Sequence, residues 1–216
     1  MTIGERSERG LARHLLCAVP QLLDPNFHRS VVLMLDHGQE GALGLVLNNP
    51  MPTTIHEVAQ SLTLDWAGDP DECVRLGGPV EQIRGWFLHD QGRWDSDADQ
   101  LAEGLWLTTS LEAVLDEQND PGRARGGAPG ARFGGGGSRF MFLLGYAGWA
   151  GGQLETEIAA GSWVVVPIVE EGEDDVGVGV DFLFDCEPDH MWARALGAIG
   201  VDPQRLVGMQ GTHTLH

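Results

Sequence analysis

The chain predicts an α+β fold, a single compact domain in which strands outnumber singly inserted helices. Three observations lead there. Apolar, β-branched runs such as Val31–Leu35 and Trp163–Val169 read as strands. The connections between them are short and rich in glycine or charge, as in HGQEG at 37–41. The helical patterns fall between strands one at a time, without the strict alternation of a doubly wound parallel sheet. A length of 216 residues suits one domain with a sizeable core.

Taken in order, residues 1–10 are polar and read as a frayed N-terminus. Val31–Leu35 and the second half of Ala42–Leu47 form a hairpin around residues 37–41. Ile55–Leu62 carries a helical pattern with Thr53 or Thr54 as N-cap. Val74–Leu76 and Trp86–Leu88 are short strands that bracket Gly77-Gly78-Pro79. Leu105–Thr108 alternates like a strand, and Ser110 then caps a helix whose stripe is Leu111, Val114 and Leu115. Residues 120–138, with four glycines in a row, predict a flexible Gly/Arg-rich loop.

No charge stands between Arg139 and Glu155, so a buried strand starts at Phe140 and is expected to feed a tight turn at LGYAGW. Gln153–Ala160 then reads as a helix, Trp163–Val169 as a fully buried strand and Glu170–Asp175 as an acidic turn. Val176–Phe184 reads as part of a strand pair or an irregular edge. Asp189 is expected to cap a closing helix with Met191, Ala195, Leu196 and Ile199 inward.

Composition excludes several functions. A formal charge of −19, spread over Asp65–Glu72, Asp90–Glu103 and Glu170–Asp189, repels nucleic-acid phosphates and argues against direct DNA contact. All thirteen basic side chains other than histidine are arginines. With no lysine, neither a Schiff base nor a P-loop can form. No GxGxxG or GxSxG motif occurs. Cys17, Cys73 and Cys186 are isolated, which suits a reducing cytoplasm and no zinc site. No apolar run reaches the length of a membrane span, and the N-terminal pattern is not that of an export signal. The expectation is a cytoplasmic protein, without membrane contact, metal or cofactor.

The candidate binding residues cluster in a few blocks. Gly145, Tyr146, Gly148 and Trp149 form a glycine-rich run with two rings that carry polar handles. Trp149, with little local cover, is expected to be exposed. Gln153 and Glu157, four apart, share a helix face, whereas Glu155 and Glu157 point roughly 200° apart and cannot share a site. Gln153 and Glu157 either line a polar pocket or hold the glycine-rich turn by hydrogen bonds. Arg29 and Ser30 stand at one end of a strand and His37 roughly 23 Å away at the other; His89 is a candidate partner for either end. Gly77-Gly78-Pro79 makes a sharp turn, which could also present backbone N–H groups to an anion.

Several blocks together resemble the YqgE/AlgH family, a group of bacterial proteins without an assigned biochemical role. They are LLCAVPQLLDPNFHRSVVLMLDHGQEGALGLVLNNP (15–50), RLGGPVEQIRGWFLH (75–89), GLWLTTSLEAVL (104–115), FMFLLGYAGWAGGQLETEI (140–158) and DFLFDCEPDHMWARALGAIGVDP (181–203). The segment 120–139 departs from the family pattern by its length. The resemblance implies a curved, barrel-like mixed or antiparallel sheet flanked by a few helices. It also implies a regulatory role for some members, which the acidity would route through a protein partner or small ligand. Two other readings stand beside this one. An enzyme would gather Arg29, Ser30, His37 or His89, Gly78, Tyr146 and Trp149 in one pocket. An RNA-associated protein would use Arg123, Arg125, Arg132 and Arg139.

Overall fold

Strand alternation sets the architecture. In Val31–Leu35 the odd residues Val31, Leu33 and Leu35 join one buried cluster, and the even residues Val32 and Met34 join another. A sheet with two apolar faces must be covered on both, and this one is. A computed structural model describes residues 10–119, 139–170 and 176–208. The expectations for a frayed N-terminus (1–10), a flexible loop (120–138) and an acidic turn (Glu170–Asp175) lie outside the described residues, apart from Gly10 and Glu170.

Ten strands are described: β1 His14–Ala18, β2 Val31–Gly38, β3 Gly41–Val46, β4 Pro50–Thr54, β5 Cys73–Leu76, β6 Val80–His89, β7 Asp99–Ala102, β8 Leu105–Thr108, β9 Phe140–Ala150 and β10 Trp163–Pro167. They form one curled half-barrel in the order β10-β1-β2-β3-β9-β6-β8-β7. All neighbours are antiparallel except β5, which pairs β4 and runs parallel to β9 at Arg75 and Leu76. The fold class is α+β, as the sequence predicts, with the curved sheet that the resemblance implies.

Among the described residues six α-helices accompany the sheet: α1 Ile55–Ser61, α2 Leu111–Gln118, α3 Gln153–Ala159, α4 Val180–Asp185, α5 Pro188–Ala198 and α6 Pro203–Gly208. α4 and α5 cover the inner face, where Leu183, Phe184, Met191 and Trp192 pack on Leu15, Leu33, Leu88 and Leu143. The outer face carries two clusters, one including Leu154 of α3 and one including Ile55 of α1 and Val114 of α2. Thr54 caps α1 in a reciprocal box with Glu57, and Ser110 Oγ accepts from the Ala113 N–H of α2 at 3.1 Å.

Several local expectations are corrected. LGYAGW is not a turn: β9 runs straight through it to Ala150, and the chain turns at Gly151-Gly152 instead. Gly145, at φ +74, is a bulge inside the strand rather than its end. Val180–Asp185 is helical, because Leu183 and Phe184 fill the inner core together. β10 is only half buried, since just Trp163 and Val166 are enclosed. Glu187, not Asp189, is the N-cap of α5, with Pro188 at the first helical position. Trp149 is buried at 7 % exposure, packed on Phe27 and Trp163.

Candidate functional site

Two of the glycine blocks meet backbone to backbone. Gly77 donates its N–H to the Leu144 carbonyl at 2.7 Å, and its own carbonyl accepts from the Val46 N–H at 2.8 Å. A Cβ on Gly78 would stand 2.1 Å from the Tyr146 carbonyl carbon, and one on Gly145 would stand 2.5 Å from the Gly78 carbonyl oxygen. Neither space admits a side chain, so the GGP and LGY segments require glycine to approach this closely. Pro79 follows at the start of the bulged stretch of β6, where the pairing with β9 jumps from Val80–Tyr146 to Gly85–Leu144.

That bulge aims Tyr146. Met141 and Leu143 join the inner core, as odd residues; beyond Gly145 it is the even Tyr146 that packs against the inner core, meeting Trp86 edge-on at 6.4 Å. Gly148 opposes Leu43 of β3 and leaves the strand exposed beside the Tyr146 ring. Tyr146 then opens into a cleft of about 990 Å³ together with Arg84, Glu81, Asp95, Asp97, Asp99 and Asp36. A second cleft of about 890 Å³, around the β2–β3 hairpin and the strand β7, meets the first at Leu35, Asp36, Leu43 and Asp99. The two form one trough across the open side of the half-barrel.

The trough is acidic. Its arginines are already matched, Arg13 with Glu170 and Arg84 with Glu81 at 3.5 Å while lying over the Trp86 ring, and His37 hydrogen-bonds Glu155 at 3.0 Å. His37 Nδ1 accepts from the Leu11 N–H at 3.2 Å, so Nε2 carries the proton and donates to Glu155. Asp36, Glu40, Asp97 and Asp99 have no cationic partner among the described residues. Asp95 is structural, accepting from the Thr108 hydroxyl and the Asp97 N–H.

Trp149, Gln153 and Glu157 serve structure instead. Glu157 Oε2 accepts from the indole N–H of Trp149 at 3.0 Å and of Trp163 at 2.8 Å. Its other oxygen accepts from Gln153 Nε2 at 2.9 Å, and Gln153 Oε1 accepts from the Ala150 N–H. One carboxylate thus satisfies two buried indoles and holds the Gly151-Gly152 turn. Glu155 points elsewhere, to His37, as the two-residue spacing requires.

The remaining candidates do not converge with these. Arg29, at φ +50, lies over the Trp192 ring at 5.4 Å and lines a separate cleft of about 840 Å³ with Asn48, Asp189 and Gln204. Ser30 beside it is buried, and its Oγ has no partner among the described residues. His89 is fully buried, stacked on Trp94 at 4.9 Å. Its Nδ1–H donates to the Gln91 carbonyl, and burial pushes its pKa down, so it stands neutral with Nε2 unpartnered. The joined trough brings His37, Tyr146 and Trp149 together, whereas Arg29 lines a separate cleft and His89 lines none of the three.

Of the arginines in the basic segment only Arg139 is described. It is tied to Asp90 at 2.9 Å, Asp181 at 2.7 Å and Asp185 at 3.3 Å. Burial works against its charge, yet these carboxylates hold its pKa above the usual arginine value. It is therefore engaged within the fold. No group of three or more His, Cys, Asp or Glu side chains among the described residues is arranged to hold a metal ion.

Sequence reasoning missed Asp36, Asp97, Asp99, Arg84 and Trp86 as members of one surface. The acid run Asp90–Glu103 was legible, but read alone it is a solvated loop. Its placement opposite Asp36 depends on the curl of the sheet.

Residues 15–204 match the model of the AlgH-like family, DUF179. A UPF0301 protein of Myxococcus xanthus is 39 % identical over 204 residues, covering 94 % of this chain and 98 % of the relative. One of Stenotrophomonas maltophilia is 37 % identical, with 93 % and 95 % covered. The solution structure of AlgH from Pseudomonas aeruginosa superposes with a TM-score of 0.67 at 28 % identity, covering 99 % of this chain and 100 % of that one. A crystal structure of a Corynebacterium diphtheriae protein shares the fold, with a TM-score of 0.59 at 20 % identity and coverage of 89 % and 88 %. The chain belongs to the AlgH-like family.

Proposed function

We propose that this AlgH-like chain is a non-catalytic binding protein that acts in regulation through a protein partner, which it holds in the acidic trough beside Tyr146. The observation that carries the reading is the joined pair of clefts in which every arginine is matched and Asp36, Glu40, Asp97 and Asp99 are not. Such a field attracts a basic segment, speeds its encounter and repels nucleic acid, which supports action through a partner over direct DNA contact. Tyr146, half-buried against the Trp86 ring, supplies aromatic surface in the same trough, as partner-binding sites commonly do. No described helix is long and apolar enough to cross a membrane. The three thiols are free, with Cys17 and Cys186 buried, and their usage supports a reducing, cytoplasmic setting.

The test is fluorescence anisotropy of the full chain with labelled basic, neutral and acidic octapeptides at two salt concentrations. The basic peptides should bind, weaken as salt rises, and weaken on the order of tenfold or more in an Asp36→Asn/Asp97→Asn/Asp99→Asn variant. Equal binding of all three peptide classes, or none of any, would contradict the reading.

A further inference from the structure

The eight-strand path of the half-barrel ends in two edge strands, β10 and β7, and they are treated differently. At the C-terminal end of β10 the outer edge is covered: the Val178 N–H donates to the Pro167 carbonyl at 3.0 Å, and the Val169 N–H donates to the Val178 carbonyl at 2.9 Å. β7, at the other end, has β8 on one side and no backbone partner on the other among the described residues. An edge of this kind presents a row of N–H and C=O groups ready to pair with another chain.

The edge of β7 also faces the trough. Asp99, Gln100, Leu101 and Ala102 all line the cleft of about 890 Å³. Successive side chains of a strand point to opposite faces, so a cleft lined by four in a row reaches both faces of β7, as it does those of the β2–β3 hairpin. Asp36 and Glu40 of the β2–β3 hairpin line the same cleft, and Leu101, Leu105 and Ile168 give it an apolar wall. One light cover exists: Gln100 Nε2 donates to the Ala102 carbonyl at 3.4 Å, a long bond that an incoming N–H can replace.

We infer that β7 is a docking strand, to which an extended basic segment of a partner protein adds as an eleventh strand of the sheet. The inference rests on the binding reading above and specifies its geometry. Backbone bonds to β7 supply the pairing. The unmatched carboxylates of Asp36, Glu40, Asp97 and Asp99 select arginine or lysine on the segment, and the Leu101–Ile168 wall takes its alternate apolar side chains. The same charges oppose pairing of β7 with a second copy of this chain, whose net charge is −19. With only four residues in β7, the contact is short and the partner's charge provides much of the affinity.

The test uses the full chain and an octapeptide of alternating arginine and valine, together with two N-methylated forms of it. One form is methylated on the odd residues and the other on the even ones. A strand that adds to an edge bonds through alternate residues only, so one methylated form loses its pairing N–H groups and the other keeps them. The expected result is that one form binds on the order of tenfold more weakly than the parent, while the other stays within about threefold. Equal affinity of both forms, whether retained or lost, would overturn strand addition and leave charge-driven docking in the trough. Failure of the unmethylated parent to bind would overturn that reading as well. A monomer–dimer equilibrium abolished by Leu101→Pro would assign the edge to a second copy and also overturn the inference.

Discussion

In the first half of β9, Phe140–Leu144, the odd residues Met141 and Leu143 enter the inner core while Phe142 and Leu144 pack outside. In the second half, beyond Gly145, Tyr146 turns inward while Ala147 and Trp149 turn out. The two halves also change partners, from β6 to β3. A single glycine at φ +74 resets the frame of the strand. The first half then serves only the core. The second divides its work: Trp149 is locked to Glu157 beside the hairpin cleft, and Tyr146, on the other face, opens into the cleft that joins it. The comparison teaches that one residue of offset separates a stabilising ring from one free to meet a partner.

The largest effect is expected where the frame is set. Gly145→Val adds a β-branched side chain at positive φ and drives its Cβ into the Gly78 carbonyl; it should destabilise by about 3 kcal/mol or more, read by urea denaturation. A variant as stable as the parent would show that the bulge is not required. Next comes the lock. Glu157→Ala strips the acceptor from two indole N–H groups and from Gln153, and should cost about 2–3 kcal/mol in the same assay, with altered tryptophan fluorescence.

A smaller effect distinguishes the first half, where His89 opposes Phe140. Burial holds the His89 pKa below its ordinary 6.5, so the unfolded chain takes up a proton before the folded one does. Its contribution to stability is present above about pH 6.5 and is lost as pH falls toward the folded-state pKa. Thermal melts of the parent should therefore fall between about pH 7.5 and 5.5 more steeply than those of His89→Phe. Parallel slopes would assign the acid sensitivity to other groups.

The smallest effect on stability belongs to Tyr146→Phe. The hydroxyl meets Glu81 only at 3.5 Å, so the change should stay within about 0.5 kcal/mol. Tyr146→Ala should instead weaken peptide binding severalfold while the chain remains folded, which separates the open face of β9 from the locked one.

Much of the fold was readable because local pattern and tertiary outcome agree. Val31–Leu35 alternates as a strand between two cores, Thr54 and Ser110 carry the capping oxygens that α1 and α2 need, and Gln153 and Glu157 share a face. The errors arise where a local cue has two physical outcomes. Glycines in LGYAGW suit a turn, but they also suit a bulge pressed against Gly78, and only the approach of β6 decides between them. Trp149 lacks local cover yet gains it from Phe27 and Trp163, far away in sequence. The second half of Val176–Phe184 is helical because Leu183 and Phe184 fill the inner core together, while Val178 keeps an edge bridge to Ile168. Of the candidate site, Tyr146 and the GGP–LGY contact were within reach, whereas the carboxylates opposite them were not. Asp36 and Asp99 are 63 positions apart and share a cleft only after closure of the half-barrel.

The most direct test of the binding account is amide hydrogen exchange across the full chain, with and without the alternating arginine–valine octapeptide. Slowed exchange confined to β7, the β2–β3 hairpin and the β6 bulge around Glu81 to Arg84 is the predicted result. Protection located at the Arg29–Trp192 cleft, or none anywhere at saturating peptide, would contradict it.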